Sequence, residues 1–246
     1  ASTTFRPDQV AAYRAAIAAS QGPGRWVLEQ LLANAEVAER ERRPLCDDTG
    51  IPHLFLEVGG AAGLTPAHLA AMVQGVQAGL RMLPGREMGV RGGPQERVEQ
   101  SAGLSDDPAD VVPPALTVRL VEGERARLTV LMLGGGPEIR SRTFRVFHER
   151  SLQKVLSEVA TWALEGTRLL GCTPSALGMG MGRTHYEATT LMLEAMAYGD
   201  LGVQSAWEES LTRLVNAQGV GPLGLGGPTV LGSFIRIGPQ LSLIHI

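Results

Sequence analysis

Pro44-Leu45-Cys46-Asp47-Asp48-Thr49-Gly50 sets one of the chain's two cysteines directly against two carboxylates, a hydroxyl and a glycine. Just upstream, Val27, Leu28, Leu31, Leu32, Ala35 and Ala38 recur at helical spacing, which predicts a helix over Arg25 to Arg42. Pro44 lacks the amide hydrogen that a helix interior requires, so the helix stops before it and Cys46 begins a turn. Such a turn suits a metal or a reacting oxyacid. A small thiol beside a capping Asp or Thr is the structural alternative.

The second cysteine also precedes a loop-like stretch. Gly171-Cys172-Thr173-Pro174 leads into Gly178-Met179-Gly180-Met181-Gly182-Arg183-Thr184. Glycines let a backbone approach a ligand closely, and a helix starting near Thr184 would aim its first N–H groups at a carboxylate or phosphate. A dinucleotide fingerprint needs the spacing G-x-G-x-x-G after a strand, whereas this run is G-x-G-x-G.

Outward from these two stretches, the pattern predicts helices over Pro7 to Ser20, Arg25 to Arg42, and Pro66 to Leu83, the last opened by Thr65 as N-cap. His53 to Val58 reads as a short strand. Pro84 to Pro114, rich in Gly, Pro and charge, reads as a long functional or mobile loop. Ala115 to Val121 and Arg127 to Leu133 alternate apolar and polar residues around Glu122-Gly123-Glu124, a hairpin signal. Further helices are predicted over Ser151 to Leu170, Thr184 to Ala197 and Ser205 to Ala217, with a last strand over Val230 to Ile237. The fold class is therefore α+β, mainly helical with a small antiparallel sheet, and residues 1–240 read as one domain. Residues 241–246, Leu-Ser-Leu-Ile-His-Ile, read like translated adapter sequence from library preparation. They are expected to be a non-native tail on a chain cut short at its C-terminal end.

Composition narrows the function classes. At 246 residues, 44% hydrophobic and 19% charged, the chain can bury a sizeable core. A net charge of -3 gives no electrostatic footprint for nucleic acid. No apolar run reaches membrane-spanning length, and Ala1 to Asp8 lack a signal-peptide pattern. A cytoplasmic protein is expected, with both cysteines as thiols available for a metal rather than as a disulfide.

Taken together, Arg43 to Gly50, Gly134-Gly135-Gly136 before Pro137-Glu138, Cys172 to Glu187, and Gly219 to Thr229 resemble, in family order, the alpha-type part of the iron-sulfur hydro-lyases. That family comprises class I fumarase and L-tartrate dehydratase. The resemblance implies water addition to, or removal from, a small hydroxy dicarboxylate at a [4Fe-4S] cluster. It also implies an oligomer, with a beta-type subunit or domain that supplies the base and further anion clamps. Cys46 and Cys172 fall at family cluster-ligand positions, and the third family cysteine, which follows the Gly219 to Thr229 motif, has no counterpart in this chain. Asp48 and Thr49 are the implied catalytic residues. Asp47, Asp48, Arg81, Gly135 and Gly136 are the implied substrate-binding ones, with Arg81 as a carboxylate clamp and the two glycines offering backbone N–H groups.

Several positions depart from the family pattern. Asp47 replaces a Gln, Pro137 a Ser, Thr173 the first of two prolines, and Arg183 a Gly. Asp47 and Arg183 are complementary in charge and are expected to pair. Two other readings fit the residues: a cluster-less paralogue that binds organic acids or regulates a partner, and a zinc protein built on Cys46, His53, Cys172 and His185.

Overall fold

The computed structural model describes residues 2–48, 50–83, 85, 87–112, 115–239 and 241–246. Its elements run α1 (Pro7–Ala19), α2 (Gly22–Glu41), β1 (Ile51–Gly59), α3 (Pro66–Arg81), α4 (Pro94–Glu99), β2 (Ala115–Val121) and β3 (Ala126–Leu133). They continue α5 (Gly135–Arg140), β4 (Thr143–Arg145), α6 (Leu152–Thr167), β5 (Ser175–Gly182), α7 (His185–Tyr198), α8 (Ala206–Asn216), β6 (Val230–Ile237) and β7 (Leu243–His245). The class is α+β with helix predominant, as the sequence pattern predicts. The residues fall into two compact units, one made of Ala1–Thr4 and Val37–Gly135, the other of Phe5–Glu36 and Gly136–Ile246.

In the first unit β1 is the middle strand of a three-stranded mixed sheet, parallel to β2 on one side and antiparallel to β3 on the other. The expected hairpin of β2 with β3 is therefore not formed. The alternation of both strands is real, but their direct pairing is displaced by β1, whose Leu54, Phe55 and Leu56 are all buried. A strand buried on both faces belongs in the middle of a sheet, where each neighbour covers one of its edges. The connection from β2 to β3 passes the end of β1, where the Gly59 amide donates to the Arg125 carbonyl at 2.9 Å. Thr65 caps α3 as expected, its hydroxyl accepting from the His68 amide at 3.4 Å. The stretch read as an open loop is largely organised: it holds α4, an isolated bridge between Val90 and Leu104, and a 3-10 turn over Pro108–Val111.

The second unit contains a four-stranded mixed sheet in the order β4-β7-β5-β6. Leu177, Met179 and Met181 of β5 join Val155, Leu156 and Val159 of α6 and Leu211 and Val215 of α8 in one buried cluster. Phe144 stacks on Trp162 at 4.2 Å against that cluster. The alternate residues of β5 are glycines, and α7 lies against them. A Cβ on Gly180 would stand 2.1 Å from the Ala188 carbonyl oxygen and 2.3 Å from the Met192 amide nitrogen. The glycine run is thus a buried strand with one bare face. The loop expected there is absent because period-two glycine is the signature of close helix-on-sheet packing as much as of a ligand turn. Residues 241–246 contribute β7, which pairs with both β5 and β4, and Ile244 is fully buried.

Candidate functional site

Within the first unit, the end of α2 is closed by the Arg43 amide donating to the Ala38 carbonyl at 2.9 Å. The chain then runs through an exposed Cys46, an exposed Asp47 and a half-buried Asp48. Thr49 lies outside the described residues. Gly50 has φ +107°, and a side chain there would put Cβ 2.8 Å from the Leu133 carbonyl oxygen, so the turn can meet β3 this closely only through a glycine. Pairing of Ile51 with Leu133 fixes the register. As a result the Cys46 turn and the glycine triplet, far apart in sequence, share one end of the sheet. An Asp48 carboxylate oxygen sits 3.7 Å from where a Gly135 side chain would begin. The implied substrate residues Asp48 and Gly135 are neighbours in space. Gly136 follows in α5, at the start of the second unit.

Arg81 ends α3. Its Nε is 3.0 Å from Asp107 Oδ1 and its Nη2 is 2.7 Å from Asp107 Oδ2. This hydrogen-bonded pairing raises the guanidinium pKa and lowers that of the Asp107 carboxyl. Asp107 carried no signal in the sequence, because an acidic residue in a loop is ordinarily solvated.

In the second unit Cys172 is an exposed thiol, and it is followed by a buried clasp. The Thr173 hydroxyl donates to the Gly221 carbonyl at 2.8 Å and accepts from the Leu223 amide at 2.9 Å. The Thr229 hydroxyl accepts from the Gly221 amide at 3.0 Å, and Asn216 Oδ1 accepts from the Thr229 and Val230 amides. The cysteine loop and the Gly219 to Thr229 motif are therefore one hydrogen-bonded body. Tyr13 of α1 is buried and stacks on Phe5 at 5.0 Å. Burial, with a lesser contribution from the negative charge of the nearby Cys172 thiolate, pushes its phenol up to about 12. Nothing in the sequence pointed to Tyr13 or Asn216, since a single polar residue has no periodicity to read, and Thr173 stood out there only as a replacement for a proline.

The anion loop expected before α7 is not formed. The start of that helix is capped from within: Thr184 Oγ1 accepts from the Glu187 amide at 3.1 Å, and Glu187 Oε2 accepts from the Arg183 amide, just ahead of the helix, at 2.6 Å. Glu187 of α7 also lies 3.5 Å from Arg183 Nε, so within the second unit Arg183 has an acidic partner.

Cys46 and Cys172 meet one requirement of cluster ligands, being exposed thiols on loops. A four-iron cluster with one open iron needs three thiolates, and the chain has two cysteines. Among the described residues no group of three or more His, Cys, Asp and Glu side chains is gathered to hold a metal ion. Nor is any helix long and apolar enough to cross a membrane.

The chain matches a known family and a known protein. The family model described as Fumarate hydratase (Fumerase) matches residues 1–241. A protein of Methanocaldococcus jannaschii, named "Putative L(+)-tartrate dehydratase subunit alpha", is 25% identical over 224 residues, covering 85% of this chain and 74% of that protein.

Proposed function

Because this chain belongs to the fumarate hydratase family, whose members are hydro-lyases of small dicarboxylates, we propose that it is the alpha-type region of an enzyme that adds water to, or removes it from, a four-carbon hydroxy dicarboxylate. The observation that carries this reading is the meeting of the Cys46 turn with the glycine triplet at one end of the first sheet, Asp48 beside Gly135. We read the exposed Cys46 thiol, the Asp47 and Asp48 carboxylates and the glycine N–H groups as the surface that meets the substrate.

Each residue has a proposed task. Asp48, with Thr49 next to it, holds or moves the proton at the substrate hydroxyl. Gly135 and Gly136, having no side chains of their own, offer backbone N–H groups to a carboxylate. Arg81 takes the other carboxylate through its planar fork of donors. Asp47 adds negative charge at the same turn and so disfavours a second acidic group close by, which narrows the acceptable substrates. Cys46 and Cys172 are two of the thiolate ligands of a [4Fe-4S] cluster, the third coming from a residue outside these 246. When bound, such a cluster supplies a Lewis-acidic iron for the hydroxyl and its neighbouring carboxylate. A beta-type partner brings the base and additional anion clamps, in the reducing cytoplasm that thiolate ligands favour.

The relative from Methanocaldococcus jannaschii supports this division, its printed name being that of an alpha subunit. The test is turnover of fumarate and of L-tartrate by the full-length protein with and without a beta-type polypeptide. Activity is expected only in the mixture, with Asp48→Asn reducing kcat by about a hundredfold or more. Equal activity from the alpha-type chain alone would contradict the proposal.

A further inference from the structure

We infer that Asp107 is a positioning residue for the substrate carboxylate, holding Arg81 by one edge so that the other edge stays open; this rests on the reading of Arg81 as a carboxylate clamp. A guanidinium presents two forks of donors, one made by Nε and Nη2, the other by Nη1 and Nη2. Asp107 occupies the first, with Nε to Oδ1 at 3.0 Å, Nε to Oδ2 at 3.1 Å and Nη2 to Oδ2 at 2.7 Å. Among the described residues Nη1 has no protein partner, so the second fork is available to a carboxylate in the same bidentate manner.

Asp107 is itself fixed. Its Oδ1 accepts from the Ala109 amide at 2.9 Å, and its own amide donates to Ser105 Oγ at 3.1 Å. Ser105 donates in turn to Asp110, and Arg91 anchors the same loop through Asp106 at 3.0 Å. Ala109, on the 3-10 turn packed against α3, is buried. The carboxylate therefore stands in one place before any ligand arrives. An exposed ion pair of this kind contributes little to stability, with the two side chains 52% and 38% exposed. Its evident consequence is orientational: a long, rotamer-rich Arg side chain is held in one pose, and ordering it on binding costs less.

The experiment follows the Arg81 Nε–H resonance in the full-length protein labelled in its arginine nitrogens while succinate is added. In the unsubstituted protein the resonance, protected by Asp107, is expected to persist through saturation while the Nη resonances shift. Asp107→Asn should lose that protection and bind succinate about tenfold more weakly, and Asp107→Glu should restore affinity to within about twofold. Loss of the Nε–H signal on adding succinate would mean that the ligand displaces Asp107, and would overturn the inference without any variant. Unchanged affinity in Asp107→Asn, with weakened binding in Arg81→Lys, would remove the role of Asp107 and leave the family reading standing. Unchanged affinity in Arg81→Lys would remove both.

Discussion

The Thr173 hydroxyl ties the Cys172 loop to its neighbour. Thr173 is 3% exposed, and both of its contacts are to backbone groups of the Gly219 to Thr229 motif. Thr173→Val keeps the shape, but strands a carbonyl and an amide in a region with little water. A loss of about 2–3 kcal/mol is expected, read as a lower urea midpoint at unchanged slope. Tyr13 gives a second prediction at this scale. The unfolded phenol ionises near 10.0, the folded one near about 12, for reasons of burial first and the Cys172 charge second. Across that window the folded chain keeps a proton that the unfolded chain has released, so stability falls as pH rises. Urea unfolding from about pH 9 to about pH 11.5 should show a decline of up to roughly 2–3 kcal/mol in excess of that of Tyr13→Phe. Parallel profiles for the two proteins would refute it. The cysteines and Asp48 stood out in the sequence because their residue types are rare or clustered. Tyr13 and Asp107 did not, and Thr173 did so only as a replaced proline, because their roles exist only through partners distant in sequence.

At the scale of elements, β5 shows where a sequence signal was seen and its meaning missed. Glycine at every second position was read as a turn that cradles an anion, whereas the chain uses it to bring the backbone of α7 against the sheet. Gly180→Ala would drive a methyl into backbone atoms that cannot rotate away, at a cost of about 3 kcal/mol or more. Gly75→Ala, inside α3 with open space around it, should raise stability by about 0.5–1 kcal/mol. Thermal unfolding of the two variants compares them directly, and a neutral Gly180→Ala would contradict the packing described. Long periodic helices and the last strand were legible because apolar spacing records the face they bury. The order of the first sheet was not. Alternation in β2 and β3 states that each has two different faces, but says nothing of which strand lies between them.

Over the whole molecule, the sequence announced the family through four motifs, and the fold joins them in two pairs. The Cys46 turn and the Gly134 to Gly136 triplet are held together by β1 and β3, and the Cys172 loop and the Gly219 to Thr229 motif by the Thr173 hydroxyl. Such pairings cannot be read from motif order alone, since they depend on strand register and on hydrogen bonds closed over long loops. The proposed chemistry depends on both cysteines serving one cluster. Anaerobic reconstitution of the full-length protein with iron and sulfide, followed by visible absorbance, tests this most directly. The unsubstituted protein should show the broad absorbance of iron-sulfide charge transfer, and Cys46→Ser and Cys172→Ser should each abolish it. A stable four-iron cluster retained by both serine variants, or no iron bound by the unsubstituted protein, would contradict the account.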